Sequence, residues 1–191
     1  MLAVAWVPPE FLREFSNVTE SEVFESITNG GSSDFALLID ILNHHGTWCL
    51  IGGLAVNCYV EPVYTLDADI VVTASKLPVI KSELITAGFD VEEFEHSLNA
   101  RMSGSDLRIQ VSLDPRYQGF LSSAKLMKVL GHEVPVASLE DIVHGKVWAW
   151  RDPRRRATKR KKDELDLMRI LEAYPETRTL MPEQVKAQVP E

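Results

Sequence analysis

The chain has 191 residues, 45% hydrophobic and 25% charged, which is enough to bury a core as one domain with an appendage. With 20 Lys and Arg against 28 Asp and Glu the formal charge is -8, so the molecule as a whole repels polyanions, and no run approaches the roughly 18 apolar residues of a membrane span. The opening MLAVAWVPP is apolar but has no basic flank and stops at a Pro pair, so a cytoplasmic protein with no membrane partner is expected.

Two helices are expected first. In TESEVFESITNGG, Thr19 and Glu22 form a capping box and the Gly pair stops the helix. In SSDFALLIDILNHHG, Ser33 caps, Phe35, Leu38, Ile39 and Leu42 share a face, and Gly46 ends the helix. Residues 48–51, Trp-Cys-Leu-Ile, suit a buried strand, and GLAVNCYV after the Gly52-Gly53 pair fits one or two helical turns. A strand follows over about 67–73, then a helix in KLPVIKSELITAGF closed by Gly88. Next comes a hairpin with Ala100 and Met102 before its SGSD turn and Leu107, Ile109, Val111 and Leu113 after it. A second hairpin, LMKVLGHEVPVA, turns at Gly131 and His132. Two helices close the pattern: SLEDIVHGKVWAW, capped by Ser138 with Asp141 at the box position, and KRKKDELDLMRILEAY, with either Leu165, Met168 and Leu171 or Leu167 and Leu171 as its apolar face. The expected fold class is α/β (α+β), a short mixed sheet with flanking helices, divided into a helical segment 1–34, a domain 35–181 and a tail 182–191. Cys49 and Cys58 form neither a C-x-x-C pair nor a disulfide framework and read as buried thiols.

Asp67 and Asp69 alternate on the expected strand, so both project to one side with Cα atoms about 6.8 Å apart. Carboxylates about 5 Å apart repel by roughly 3 kcal/mol at an effective dielectric near 20, so a positive group should sit between them. Mg²⁺ fits, because it takes one or two carboxylates together with waters and substrate phosphates. Bare N–H groups at Gly52 and Gly53 could approach a phosphate, although the same glycines serve tight strand–helix packing. Residues 151–162, RDPRRRATKRKK, hold eight of the 20 basic side chains and one acid, leaving 12 against 27 elsewhere. That run reads either as a solvated helix start or as a phosphate-facing patch with Arg154, Arg155, Arg156, Lys159 and Arg160 as candidate RNA contacts.

The order Gly52-Gly53, a helical turn, then TLDAD at 65–69, with VASLEDIVHGKVWAW at 136–150 and KRKKDELDLMRILEAYP after it, resembles the DNA-polymerase-β-type nucleotidyltransferase superfamily. Within it the chain is most similar to the AbiEii-like nucleotidyltransferases, toxins of bacterial toxin–antitoxin pairs, over roughly residues 35–181. The resemblance implies a nucleotidyltransferase fold, Mg²⁺ or Mn²⁺ on Asp67 and Asp69, and an NTP seated by Gly52, Gly53 and Thr65. It also implies that Lys146 neutralises phosphate charge, that Asp163 or its neighbour Asp166 completes the catalytic set, and that the partners are RNA such as tRNA, or a protein hydroxyl, and an antitoxin.

Two departures accompany it. Gln110 stands where the superfamily commonly carries a third carboxylate; its amide oxygen can coordinate a metal but brings no charge and cannot act as a base. Tyr64 replaces an often basic residue. A nucleotide-binding or partner-binding module of the same fold without transfer activity is therefore the alternative. A D-x-D glycosyltransferase is disfavoured by the chain's size. Taken alone, Lys146 also reads as a snorkelling surface lysine, Asp163 and Asp166 as helix-face partners of Lys159, Lys162 or Arg169, and Trp148 and Trp150 as core packing.

Overall fold

Four consecutive buried residues form β1, Trp48–Ile51, at the middle of the sheet. The structure, a computed structural model, describes residues 20–190, so the expected Thr19 cap and the opening apolar segment lie outside the described residues. The other strands are β2 (Asp67–Val72), β3 (Asp90–Glu93), β4 (Ser97–Arg101), β5 (Arg108–Ser112), β6 (Lys125–Val129) and β7 (His132–Val136). They make a mixed seven-stranded sheet in the order β3-β4-β5-β2-β1-β7-β6. β2 runs antiparallel to β1 and parallel to β5, so its register places Asp69 opposite Ile51 on one side and Gln110 on the other. In β2, Ala68, Ile70 and Val72 are buried while Asp67 and Asp69 are only half-buried, the alternation that a one-sided polar strand requires.

Around the sheet lie α1 (Glu20–Thr28), α2 (Gly31–His44), the short α3 (Gly52–Val56), α4 (Leu77–Thr86), α5 (Leu139–Arg151), α6 (Ala157–Ala173) and α7 (Glu183–Lys186). α2 packs on α4, and α5 and α6 pack on each other and on α3, bringing the two late helices to the Gly52 turn. Phe35, Leu38, Leu42, Ile70, Ile80, Leu84, Leu98 and Ile109 all belong to one core and are essentially inaccessible. Cys49 is fully buried and Cys58 half-buried, and the two form no disulfide; burial pushes the Cys49 thiol up to about 12.

Several elements differ from expectation. Ser33 lies inside α2, whose N-cap is Gly30 at φ 100. Thr28, itself buried, accepts the Gly31 N–H at 3.1 Å and so takes the part expected of Ser33. The β6–β7 turn is at Leu130 and Gly131, φ 49 and 89, one residue earlier than expected; the two positive φ values suit a tight hairpin. The boundary at 34 falls within α2, and Val185 and Val189, beyond 181, are buried. β3 and the 3₁₀ segment Pro115–Ser122 were not anticipated.

Candidate active site

Gly52 takes φ +70 where β1 turns into α3, and a Cβ there would lie 1.9 Å from Asp69 Oδ2. Only glycine lets the backbone pass this close to the carboxylate. Gly53 lies against Thr65, where a Cβ would meet Oγ1 at 3.3 Å, and the buried Thr65 Oγ1 accepts the Asp67 N–H at 3.2 Å. A cleft of about 260 Å³ opens beside them, lined by Gly53, Thr65, Asp67, Asp69, Gln110 and Asp163 and by five basic side chains, Lys146, Arg155, Arg156, Lys159 and Lys162. Gly52 lines an adjoining cavity of about 110 Å³ behind Asp69.

Asp67 already has positive partners. Lys159 Nζ donates to its Oδ2 at 2.5 Å and Arg108 Nε sits 2.8 Å from Oδ1. Burial alone would raise this carboxyl, but the Lys159 hydrogen bond and the two charges hold it below the ordinary value. Asp69 goes the other way: burial raises it, only partly opposed by Lys146. Gln110, directly across from Asp69, is exposed and uncharged.

Lys146, on α5, is 8% exposed, and its ammonium lies 3.0 Å from Asp163 Oδ1 and 2.7 Å from Asp166 Oδ2. Burial would lower its pKa, but the two aspartates outweigh that and raise it, so it stays charged. The second oxygen of Asp163 receives Arg155 Nε, and Asp166 Oδ1 receives Arg169 at 2.8 Å. Asp163 borders the cleft, and its two oxygens are engaged by Lys146 and Arg155, which it holds in place.

The basic run spreads over two adjoining clefts, with Arg155 lining both. Arg155, Arg156 and Lys159 line the Asp67–Asp69 cleft, Arg154 lines a broader neighbouring cleft with Arg116, Arg151 and Trp148, and Arg160 is exposed. Trp148 stacks on Phe120 and carries Arg116 4.9 Å above its ring. Sequence reasoning missed Arg108 and Lys162 as site residues. The spacing of Lys162 three residues after Lys159 on one helix face was a usable signal, whereas Arg108 depends on the β2–β5 register.

Two hard oxygen ligands on one strand suit one divalent ion of the Mg²⁺ kind, completed by water and phosphate. Among the described residues, no group of three or more His, Cys, Asp or Glu is placed to hold a metal, and no helix is long and apolar enough to cross a membrane.

The chain has the nucleotidyltransferase fold, mixed α/β with a seven-stranded sheet. It is similar to ANT(2″)-Ia in complex with adenylyl-2″-tobramycin, at 15% identity over 81% of this chain and 92% of that one, with a TM-score of 0.54. A solution structure of the antibiotic-resistance factor ANT(2″)-Ia matches at 16% identity, 81% and 89% coverage and a TM-score of 0.52. An antigenic nucleotidyltransferase-like protein from Paracoccidioides brasiliensis matches at 14% identity, 86% and 88% coverage and a TM-score of 0.51. No family model matches the chain, and no curated protein matches it in sequence.

Proposed function

We propose that the chain is a divalent-metal-dependent nucleotidyltransferase, moving an NMP group from an NTP to an acceptor hydroxyl. The reading rests on one cleft in which paired carboxylates, a glycine turn that only glycine can make and five basic side chains converge. In this reading Lys146, Arg155, Arg156 and Lys162 bind the triphosphate, while Gly53 and Thr65 shape the floor beneath it. Asp67 and Asp69 hold Mg²⁺ or Mn²⁺, which when bound neutralises charge on the phosphates and orients them. The acceptor oxygen–phosphorus bond forms as the bond to pyrophosphate breaks. Gln110 has no charge and cannot take the acceptor proton, and both aspartates are engaged by the metal in this reading, so the proton leaves to solvent water.

Following the AbiEii-like resemblance, the acceptor is RNA such as tRNA, or a protein hydroxyl, and the protein acts as the toxin of a toxin–antitoxin pair in the cytoplasm. The adenylylated tobramycin bound to ANT(2″)-Ia supports nucleotidyl transfer as a chemistry of this fold. A second reading, a nucleotide-binding module without transfer, is favoured by the uncharged Gln110 opposite Asp69.

Incubation with each labelled NTP, Mg²⁺ or Mn²⁺ and total RNA separates the two, because label on RNA requires transfer and a thermal shift requires only binding. At about 100 times Kd the bound nucleotide should stabilise the fold by roughly 2.7 kcal/mol. If none of ATP, CTP, GTP and UTP shifts the melting transition in the presence of metal, both readings fail.

A further inference from the structure

A positive charge for the aspartate pair is already present on Asp67, and it belongs to the protein. Each oxygen of Asp67 has its own cation: Lys159 on Oδ2 at 2.5 Å and Arg108 on Oδ1 at 2.8 Å. A divalent ion that takes Asp67 therefore competes with two cations for the same carboxylate charge, and its binding is weakened for as long as both stay in place. Arg108 is fixed by strand register, since β5 sets it directly opposite Asp67. Lys159 comes from the first turn of α6 on a flexible four-carbon stem with a single point charge, and is the easier of the two to move.

Its destination is also in place. Lys159 forms part of the wall of the cleft with Arg155, Arg156 and Lys162, so an ammonium leaving Asp67 is still within a basic surface that faces bound phosphate. The opposite side of the carboxylate pair limits how many ions can follow. Two-metal sites clamp both the attacking and the leaving oxygens with ions about 3.5–4 Å apart, and they need carboxylate charge to hold both. Here the neighbour of Asp69 on β5 is Gln110, which offers an amide oxygen and no charge.

We propose that Lys159 is a built-in counter-ion of Asp67 that competes with an entering metal and moves from carboxylate to phosphate as nucleotide binds, and that the site holds one divalent ion, not two. The proposal rests on the reading that the cleft takes a nucleotide, and it adds the charge exchange by which the cleft does so. Metal and nucleotide then bind with positive coupling, because phosphate draws Lys159 away from the carboxylate that the metal needs.

Mn²⁺ titration followed by electron paramagnetic resonance tests this without any turnover. For Mn²⁺ alone, Lys159→Met should tighten binding by about tenfold, the scale of one charged hydrogen bond released from competition. Lys161→Met, which removes an exposed cation of the same helix that is paired with Glu164, should leave Mn²⁺ affinity unchanged and so separates loss of the Asp67 contact from loss of positive charge in general. With saturating nucleotide, wild type should saturate at one Mn²⁺ per chain and Gln110→Asp at two, and the wild-type ion should bind more tightly than it does without nucleotide. The proposal is overturned if Lys159→Met leaves the Mn²⁺-only affinity unchanged, if Lys161→Met tightens it equally, or if wild type takes up two ions. Failure of every NTP to shift the wild-type melting transition overturns the nucleotide reading instead, and is distinguishable because the Lys159→Met titration contains no nucleotide.

Discussion

Gly52 carries more of the site than its size implies. A Cβ at this position would meet Asp69 Oδ2 at 1.9 Å and Cγ at 2.6 Å, on a backbone with φ +70. Gly52→Ala should therefore cost about 1–2 kcal/mol from the left-handed conformation alone, and in addition displace the Asp69 carboxylate. The expected outcome is a melting temperature lower by several degrees together with loss of the metal-dependent nucleotide shift. A variant that melts lower but keeps the full shift would mean that Gly52 serves only the turn. Lys146 presents a different balance, because its two carboxylate partners are 2% exposed or less. Lys146→Met leaves Asp163 with Arg155 alone and Asp166 with Arg169 alone and should destabilise by about 3 kcal/mol, the low end for breaking a buried pair, whereas Lys146→Met with Asp166→Asn should recover part of that loss. Urea unfolding of the two variants checks the order. Removal of the half-exposed Arg108–Asp67 contact should cost no more than about 1 kcal/mol.

α5 and α6 are the elements that bring distant residues to β2, and the start of α5 can be tested separately from the chemistry. Ser138 Oγ accepts the Asp141 N–H at 3.2 Å and donates to Asp141 Oδ2 at 2.6 Å, a link also joined by Ser123. Ser138→Ala should lower stability by about 1 kcal/mol while leaving nucleotide affinity of the folded protein unchanged, which paired unfolding and binding curves would show. This cap was legible in the sequence because capping is local, and so were β1 and β2, whose apolar residues mark buried positions. β3 was not legible: Asp90, Glu92 and Glu93 are exposed and Val91 alone is half-buried, so no alternating pattern betrays the edge strand. The site divides along the same line. Gly52, Asp67 and Asp69 could be placed from turn and strand periodicity, and Gln110 from the strand it occupies. Lys159 on Asp67, 92 residues away, and Arg108 across a parallel pairing depend on tertiary register, which local periodicity does not contain.

The long-range field sets the basic run against a chain whose formal charge is -8, and the fold divides that run between two clefts. Arg155 and Arg156 line the Asp67–Asp69 cleft proposed for the nucleotide, so their neutralisation should weaken nucleotide binding as well as any RNA binding. Arg154 has its side chain 78% exposed, only loosely paired with Asp152 at 3.8 Å, and lies with Arg116 and Arg151 in the neighbouring cleft; Arg160 is exposed on α6. With an RNA acceptor, as proposed, these two exposed cations lie outside the Asp67–Asp69 cleft and are the ones to test for phosphate contacts. Phosphate contacts release counter-ions, so the logarithm of RNA affinity should fall linearly with the logarithm of salt concentration, by about 0.7 per contact on a single strand. Arg154→Ala with Arg160→Ala should flatten that slope by about 1.4 for two lost contacts and leave the nucleotide-induced melting shift intact. Arg155→Ala with Arg156→Ala should reduce both. A slope unchanged by the first pair, or no RNA affinity at low salt, removes RNA as the acceptor and leaves a protein or small-molecule hydroxyl in its place.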